Sequence, residues 1–481
     1  MNENKISARH GVTWMGASQA GKISMQLISI FTLARILPTE DFGLMALAGT
    51  ATSFANMMRD MGTGAALIQK HNLSPELINA VFLFNILLGV LVTAIFMGLS
   101  PLLAILFKEP RLIDVLLVLA PIFTIIAFGA VPQALLERES LFEHIAKMEL
   151  FSGFCGLVAA LIVAWQGGGV YALVIQSIVT GIVATSFLWI VSTWRPLFSF
   201  KLSPLKEIFG FSGNIFLFGC VNYFHRNSDS ILIGRFLGVG ELGLYNIAYR
   251  ILLFPLQNIT LVISRSIFPA YCRNQYNPAL IGKHYLTTLE TIAFITAPLM
   301  ALIWALREPM IIVLLGERWL PAAPVLAFLA PVGFFQSMVS TSGSVLNSIG
   351  RSDVLRNLGL IGVPFLTMSF VIGLPWGIEG VAACYCIANF FWVYPVIRTV
   401  LKLLSRSFFE FIIAIIMPAL MAIVVALFIW FFDNKLLSHS SSNLMHLIIS
   451  SLMGSILYLV LSYFFMRKNM VRIVNVLFKF N

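Results

Sequence analysis

The chain is 481 residues long, 59% hydrophobic and only 11% charged, with 31 Lys and Arg against 21 Asp and Glu and a formal net charge of +10. Soluble domains carry about 45–50% apolar and about 25% charged residues, so this composition, with a mean hydropathy of +0.92, excludes a water-soluble protein and indicates an integral membrane one. A membrane β-barrel is excluded too: its strands read as alternating segments of about ten residues, whereas this chain carries long uninterrupted apolar runs.

About fourteen apolar runs of the length a helix needs to cross a bilayer follow one another, centred near residues 24, 52, 88, 125, 157, 180, 222, 254, 294, 333, 364, 388, 421 and 455. The N-terminal "MNENKISARHG" is followed by a run that contains Lys22 and continues to residue 37 without a small-residue cleavage site, so it reads as a retained first helix. Prolines 121, 255, 298, 331 and 364 lie inside apolar runs, where a missing N–H permits a kink. Five cysteines (Cys155, Cys220, Cys272, Cys384 and Cys386) show neither disulfide nor metal spacing and read as structural. No metal ligand set, cofactor motif, nucleotide-binding "GxxxxGK[ST]" or catalytic cluster is present in the sequence.

With the N-terminus in the cytoplasm, the inner connections hold roughly twenty of the 31 Lys and Arg and the outer ones about seven. That bias predicts both termini inside. It also accounts for the positive charge without nucleic acid, as an orientation signal and as contact with anionic lipid head groups.

The chain repeats itself. "LARILPTEDFGLMALA" at 33–48 lies over "IGRFLGVGELGLYNIA" at 233–248 with an offset of 200, sharing Arg35/Arg235, Leu37/Leu237, Gly43/Gly243, Leu44/Leu244 and Ala48/Ala248. "SPLLAILF" at 100–107 parallels "EPMIIVLL" at 308–315, "LAP" at 119–121 recurs at 329–331, and "WQGGGVYA" at 165–172 resembles "WGIEGVAA" at 376–383, with offsets of 208, 210 and 211. Offsets that rise slowly in chain order are those of a duplicated unit with small insertions. The expected fold is an all-α polytopic membrane protein: two six-helix lobes, residues 1–200 and 201–400, around a central cavity, with two further helices and a cytoplasmic tail in 401–481. Such parallel repeats suit a transporter that opens alternately to each side.

Polar residues inside the helices support that reading, because ionisable groups at membrane depth face water or a partner. Ser18, Lys22, Gln26 and Ser29 lie along one face of the first helix. Asn222, Arg226 and Asp229 occupy the equivalent face of its repeat mate, Asn246, Arg250 and Gln257 the next helix, and Gln336, Ser340, Ser344 and Asn347 the tenth. At about 2.5–3.5 kcal/mol per central charge, Lys22, Arg226 and Arg250 would together cost roughly 8–10 kcal/mol against lipid. Two readings stay open for Arg226, an ion pair with Asp229 three residues on or an anion-binding group; Arg59 with Asp60 reads as a pair, and His225 as locally satisfied. Lys22 and Arg250 have no partner within a turn of their own helices, which points to an anionic ligand or a charge across the cavity.

Further stretches, "DMGTGAALIQ" at 60–69, "SILIGRFLGVGELGLYNIAYR" at 230–250, "SRSIFPAY" at 264–271 and "LLGERWLPAAPVL" at 314–326, together with the opening repeat, resemble polysaccharide exporters of the Wzx flippase type, colanic acid exporters in particular. The likeness is collinear over roughly residues 10–400. It implies the fold of the multidrug/oligosaccharidyl-lipid/polysaccharide superfamily, a place in the bacterial cytoplasmic (inner) membrane and no enzymatic reaction. The implied cargo is an oligosaccharide repeat unit on undecaprenyl pyrophosphate, flipped for O-antigen, capsule or exopolysaccharide assembly, with polymerase machinery as a partner. On this reading Lys22, Arg226 and Arg250 meet the pyrophosphate or acidic sugars, with Gln26, Asn222, Gln257 and Gln336 as neutral partners. Coupling to protons or sodium would run through Asp60, Asp229 or Glu290. Two rivals are weaker: a drug or small-cation antiporter of the same superfamily needs a net acidic cavity, and a polysaccharide polymerase or ligase needs a large outer loop.

The charge bias makes a topology prediction. Reporter fusions after residues 239 and 377 should read outside and fusions after residues 205 and 405 inside; reversal at either pair would break the two-lobe reading.

Overall fold

The computed structural model describes residues 21–70, 72–197, 209–432 and 443–467, and every regular element among them is helical. In chain order these are α1 (described over 21–36), α2 (Thr39–Asp60), α3 (Thr63–Gln69), α4 (Pro75–Phe107), α5 (Leu112–Leu119), α6 (Pro121–Arg138), α7 (Phe142–Trp165), α8 (Tyr171–Val191) and α9 (Phe209–Phe236). There follow α10 (Val239–Arg273), α11 (Pro278–Ala305), α12 (Arg307–Leu314), a 3₁₀ turn (Glu317–Ala322), α13 (Ala323–Ser340), α14 (Ser342–Ser348), α15 (Ser352–Gly373), a second 3₁₀ turn (Leu374–Trp376), α16 (Gly377–Leu403), α17 (Phe408–Phe432) and α18 (Asn443–Phe465). Every predicted run centre lies in one of these helices.

Among the described residues nine stretches are long and apolar enough to cross a membrane. One of them, Ser352–Leu403, has 52 residues, about 78 Å of helix at 1.5 Å per residue, enough for two crossings. The helices α2, α9 and α10 are absent from the nine, and α9 and α10 carry predicted polar stripes.

The duplication is written in the backbone. Left-handed corners end helices at Lys108 (φ 55°) and Gly316 (φ 102°), turn the chain at Ser140 (φ 59°) and Gly350 (φ 71°), and recur at Gly167 (φ 78°) and Gly377 (φ 71°). These pairs are 208, 210 and 210 residues apart, close to the sequence offsets. Thus α4 corresponds to α11 with α12, α6 to α13 with α14, α7 to α15 and α8 to α16. Trp165 and Trp376 stand exposed beside the last pair of corners, where aromatic rings anchor helices at the membrane–water boundary.

The chain divides into two compact units, Met1–Gly243 and Leu244–Asn481. In the first, small residues bring helices together, as is usual where lipid supplies no hydrophobic drive between them. A Cβ added at Gly156 of α7 would lie 2.1 Å from the Thr180 hydroxyl of α8, and one at Gly89 of α4 would lie 2.8 Å from Ala127 Cβ of α6. Polar groups are satisfied across the same contacts: Thr185 donates to the Ile125 carbonyl at 3.1 Å, Thr63 to Asn85 Oδ1 at 2.9 Å, and the Asn79 side chain pairs with both backbone groups of Leu197. Helix α9 packs on α2, with the Tyr223 hydroxyl donating to the Thr50 carbonyl at 3.0 Å.

In the second unit α11 is central and touches both α13 and α17. Tyr285, Leu289 and Ile292 of α11 join Leu346, Ile397 and Leu401 in one buried cluster, and Ala297 and Ala301 join Val425, Ile429 and Tyr458 in another. Thr296 and Ser337 share a hydrogen bond of 3.1 Å, as do Tyr285 and Ser342 at 2.9 Å. The two helices beyond the repeat are held by the same means: α17 lies on α11, and Tyr458 of α18 donates to the Phe294 carbonyl at 3.0 Å.

Pro121 occupies the first position of α6, directly after Ala120, where the span Leu112–Arg138 is divided into α5 and α6. Prolines 255, 298, 331 and 364 do lie inside helices. The tenth helix is interrupted at Thr341 into α13 and α14, so the stripe from Gln336 to Asn347 is carried by two pieces.

The tightest approach joins repeat mates. A Cβ at Gly43 would lie 1.7 Å from the Val239 carbonyl oxygen and 3.0 Å from Gly243 N; one at Gly243 would lie 2.1 Å from the Thr39 carbonyl oxygen and 3.1 Å from Gly43 N. Thr39 and Val239, like the glycines, are 200 residues apart, so the contact is reciprocal. Replacing either glycine by Ala should destabilise the protein by at least the roughly 1–3 kcal/mol typical of overpacking, since backbone must move. Gly49→Ala, with nothing within 4 Å of the new Cβ, should be neutral or slightly stabilising. Thermal unfolding of the detergent-purified variants checks both.

Candidate functional site

The predicted polar stripe of α1 is partly occupied by the helices beside it. Lys22 Nζ donates to Glu149 Oε1 of α7 at 2.8 Å, with both side chains part-exposed. Two turns on, Ser29 is buried and accepts from Gln176 Nε2 of α8 at 2.8 Å. Gln26, between them, is exposed, and Ser18 lies outside the described residues. Lys22 is therefore not an unpartnered cation: its counter-charge comes from 127 residues away.

On α9 the structure bears on one of the two readings of Arg226. Arg226 is exposed and has no hydrogen bond or ion pair among the described residues. Asp229 is buried and accepts from the Ser230 backbone N–H at 2.7 Å. Of the two readings open for Arg226, the ion pair with Asp229 is not seen among the described contacts. Tyr223, one turn before Arg226, lies tilted with its ring centre 5.0 Å from that of Phe54 and is held to α2 by its hydroxyl, which fixes the stretch of α9 that presents Arg226. The side chains of Asn222 and His225, and that of Asp60 on α2, lie outside the described residues; Arg59 is buried.

In the second unit Arg250 of α10 is likewise exposed, with no hydrogen bond or ion pair among the described residues. Gln336 of α13 donates to the Tyr385 hydroxyl of α16 at 2.6 Å, and the Tyr385 ring lies 4.7 Å from that of Phe370. Glu290 is buried on α11. The Gln257 side chain lies outside the described residues. Among the described residues the structure thus gives Arg226 and Arg250 no partner while committing Lys22 and Gln336 to neighbours. Glu149, Gln176 and Tyr385, which do the holding, were missed by the sequence reading; an acid or amide interrupting an apolar run, as in "KMELFSG" and "LVIQSIV", is the signal that could have found the first two.

A second charged group sits at the α1–α2 connection. Asp41, in the first turn of α2, is buried with Arg111 3.8 Å away. Burial raises its carboxyl above the usual carboxylate range, Arg111 acts in the opposite sense, and neighbouring Glu40 adds to the rise.

Several known proteins share this build. A family profile described as "Polysaccharide biosynthesis protein" matches residues 32–324. The chain is 27% identical over 460 residues to the succinoglycan biosynthesis transport protein ExoT of Rhizobium meliloti, covering 95% of this chain and 93% of that one. It is 28% identical to the teichuronic acid biosynthesis protein TuaB of Bacillus subtilis (85% and 83%), and 23% identical to the lipopolysaccharide biosynthesis protein WzxC of Escherichia coli (87% and 85%). Among solved structures, the lipid II flippase MurJ in an inward closed conformation superposes with a TM-score of 0.76 at 16% identity, over 95% of this chain and all of that one. An inward-facing multidrug resistance transporter of the MATE family and MOP superfamily gives 0.58 at 17%, over 80% and 94%. The fold is therefore that of the MOP transporters.

Because Arg226 holds no acid in place, Arg226→Ala should leave membrane abundance near normal and reduce export at least tenfold, the equivalent of about 1.5–3 kcal/mol for a charge-assisted hydrogen bond. Immunoblots of membranes beside export assays in a complemented deletion strain check this; a fall in abundance restored by Asp229→Asn would show a structural role instead.

Proposed function

The chain belongs to the polysaccharide biosynthesis protein family, and on that premise we propose that it flips undecaprenyl-pyrophosphate-linked oligosaccharide repeat units from the inner to the outer leaflet of the bacterial cytoplasmic membrane. It does so in fourteen crossings with both termini in the cytoplasm, as two repeated lobes of residues 1–200 and 201–400 followed by residues 401–481. The work is transport, with no covalent step.

One observation carries the reading: Arg226 and Arg250, in the long helices α9 and α10, are exposed and have no hydrogen bond or ion pair among the described residues. Helical cations of this kind are too costly to leave in hydrocarbon, so they face water and are available to an anion. A pyrophosphate with several sugars loses its hydration on entering lipid; guanidinium groups replace that water with charge-assisted, bidentate hydrogen bonds. A cationic drug would be repelled by the same groups, which favours the polysaccharide branch of the superfamily over the drug antiporters. The names of the relatives agree, since one is a transport protein of succinoglycan biosynthesis and one solved structure of similar fold is a lipid II flippase. The buried carboxylates Asp229 and Glu290, with Asp60, are the groups that would couple the cycle to an ion.

A deletion strain decides the matter. Lipid-linked repeat units should remain in the inner leaflet of its membranes, inaccessible to an impermeant glycosidase applied from the periplasmic side, and the wild-type gene should restore their access. Units that reach the outer leaflet and accumulate there unpolymerised would instead identify a polymerase or ligase.

A further inference from the structure

Glu149 has no place in the transport scheme so far, yet it is the group that touches the first of the candidate cations. Its Oε1 lies 2.8 Å from Lys22 Nζ, with the lysine side chain 49% and the carboxylate 35% exposed. The surroundings are close-fitting on the helix backbones: a Cβ at Gly21 of α1 would come 2.8 Å from Leu150 Cδ2, and one at Gly153 of α7 would come 3.0 Å from Met25 Sδ. The pair is thus held at a tight α1–α7 crossing while its charged ends stay accessible. Half a helix further along, the buried Ser29–Gln176 hydrogen bond ties α1 to α8.

From this geometry we infer that Glu149 is an internal stand-in for the substrate anion: it occupies Lys22 when the transporter is empty and is displaced by the pyrophosphate when cargo binds. The inference rests on the flippase reading above. Three features carry it. An ion pair with both partners part-exposed is weak and screened, so a ligand with more than one negative charge outcompetes a single carboxylate. Glu149 can be released without being stranded, because it remains open to water, unlike a carboxylate in a sealed pair, whose loss of a partner is costly. And the repeat mate of Glu149, 210 residues on, is Gly359, so the carboxylate is peculiar to the first half, as the lysine is: position 222 holds Asn. Exchange keeps Lys22 charged and oriented in the empty state and weakens the net hold on the cargo, which a transporter needs for release.

The test uses the full-length protein in lipid nanodiscs with undecaprenyl pyrophosphate as the probe. Glu149→Gln should bind it about two- to fivefold more tightly than wild type, the span that an exposed pair of this kind is worth, and should lower the apparent KM and the maximal flipping rate together. Lys22→Ala should weaken binding, and in that background Glu149→Gln should add nothing, as the thermodynamic cycle for a single contact requires. A purely structural pair predicts the opposite sign, weaker binding in Glu149→Gln. The wild-type protein gives an independent measurement: a carbodiimide should couple Lys22 to Glu149 in the empty transporter, and undecaprenyl pyrophosphate, but not undecaprenol, should suppress the cross-link. Unchanged or weaker binding by Glu149→Gln, or a cross-link that persists at saturating probe, would overturn the exchange while leaving the flippase reading intact. Absence of probe binding by the wild type itself would overturn both.

Discussion

A charged side chain in a membrane helix has to be met by something other than hydrocarbon, and this constraint organises the protein. Among the Lys and Arg that the chain sets within helices are Lys22, Arg59, Arg226 and Arg250. They are treated in three ways: Lys22 is paired across helices, Arg59 is buried, and Arg226 and Arg250 are exposed with no partner among the described residues. The rest of the structure permits this, since the helices that bear no such charge are apolar enough to carry the insertion, and close glycine contacts let them pack without polar side chains.

The satisfied polar contacts have a division of labour. Hydrogen bonds such as Thr296–Ser337 and Tyr285–Ser342 are fully buried within a unit, where no water competes and the geometry is held. The Lys22–Glu149 pair, Arg226 and Arg250 are accessible. A transporter needs both: bodies stiff enough to move as wholes and polar groups able to change partner.

Much of this was legible in the chain. Runs of about twenty apolar residues between short polar breaks announce membrane helices, and ordered offsets announce the duplication, because both are properties of spacing. What depends on contacts was not. The partner of Lys22 lies 127 residues away on a helix that shows no stripe of its own, and Asp229 turns to a backbone N–H instead of the arginine three residues before it. The break at Thr341 has neither Gly nor Pro to mark it, and Pro101 passes through α4 uninterrupted while its repeat counterpart, Pro309, follows the break between α11 and α12. Lys108 and Ser140 adopt left-handed backbone that a side chain does not favour; only their counterparts, Gly316 and Gly350, carry the residue that predicts it.

The crossing of Gly43 on Gly243 has a consequence for descent. A contact in which each of two equivalent residues meets the other, with Thr39 and Val239 exchanging the same roles, is the self-complementary kind that two identical subunits make across a two-fold axis. Within one chain the two partners mutate independently, so such a surface no longer changes on both sides at once. An alanine at one position meets an unaltered backbone at the other, and no side chain stands between them to shrink in compensation. The duplicated halves have been free to diverge in their cations, their helix breaks and their corner residues, while at this crossing each half constrains the other to remain a copy.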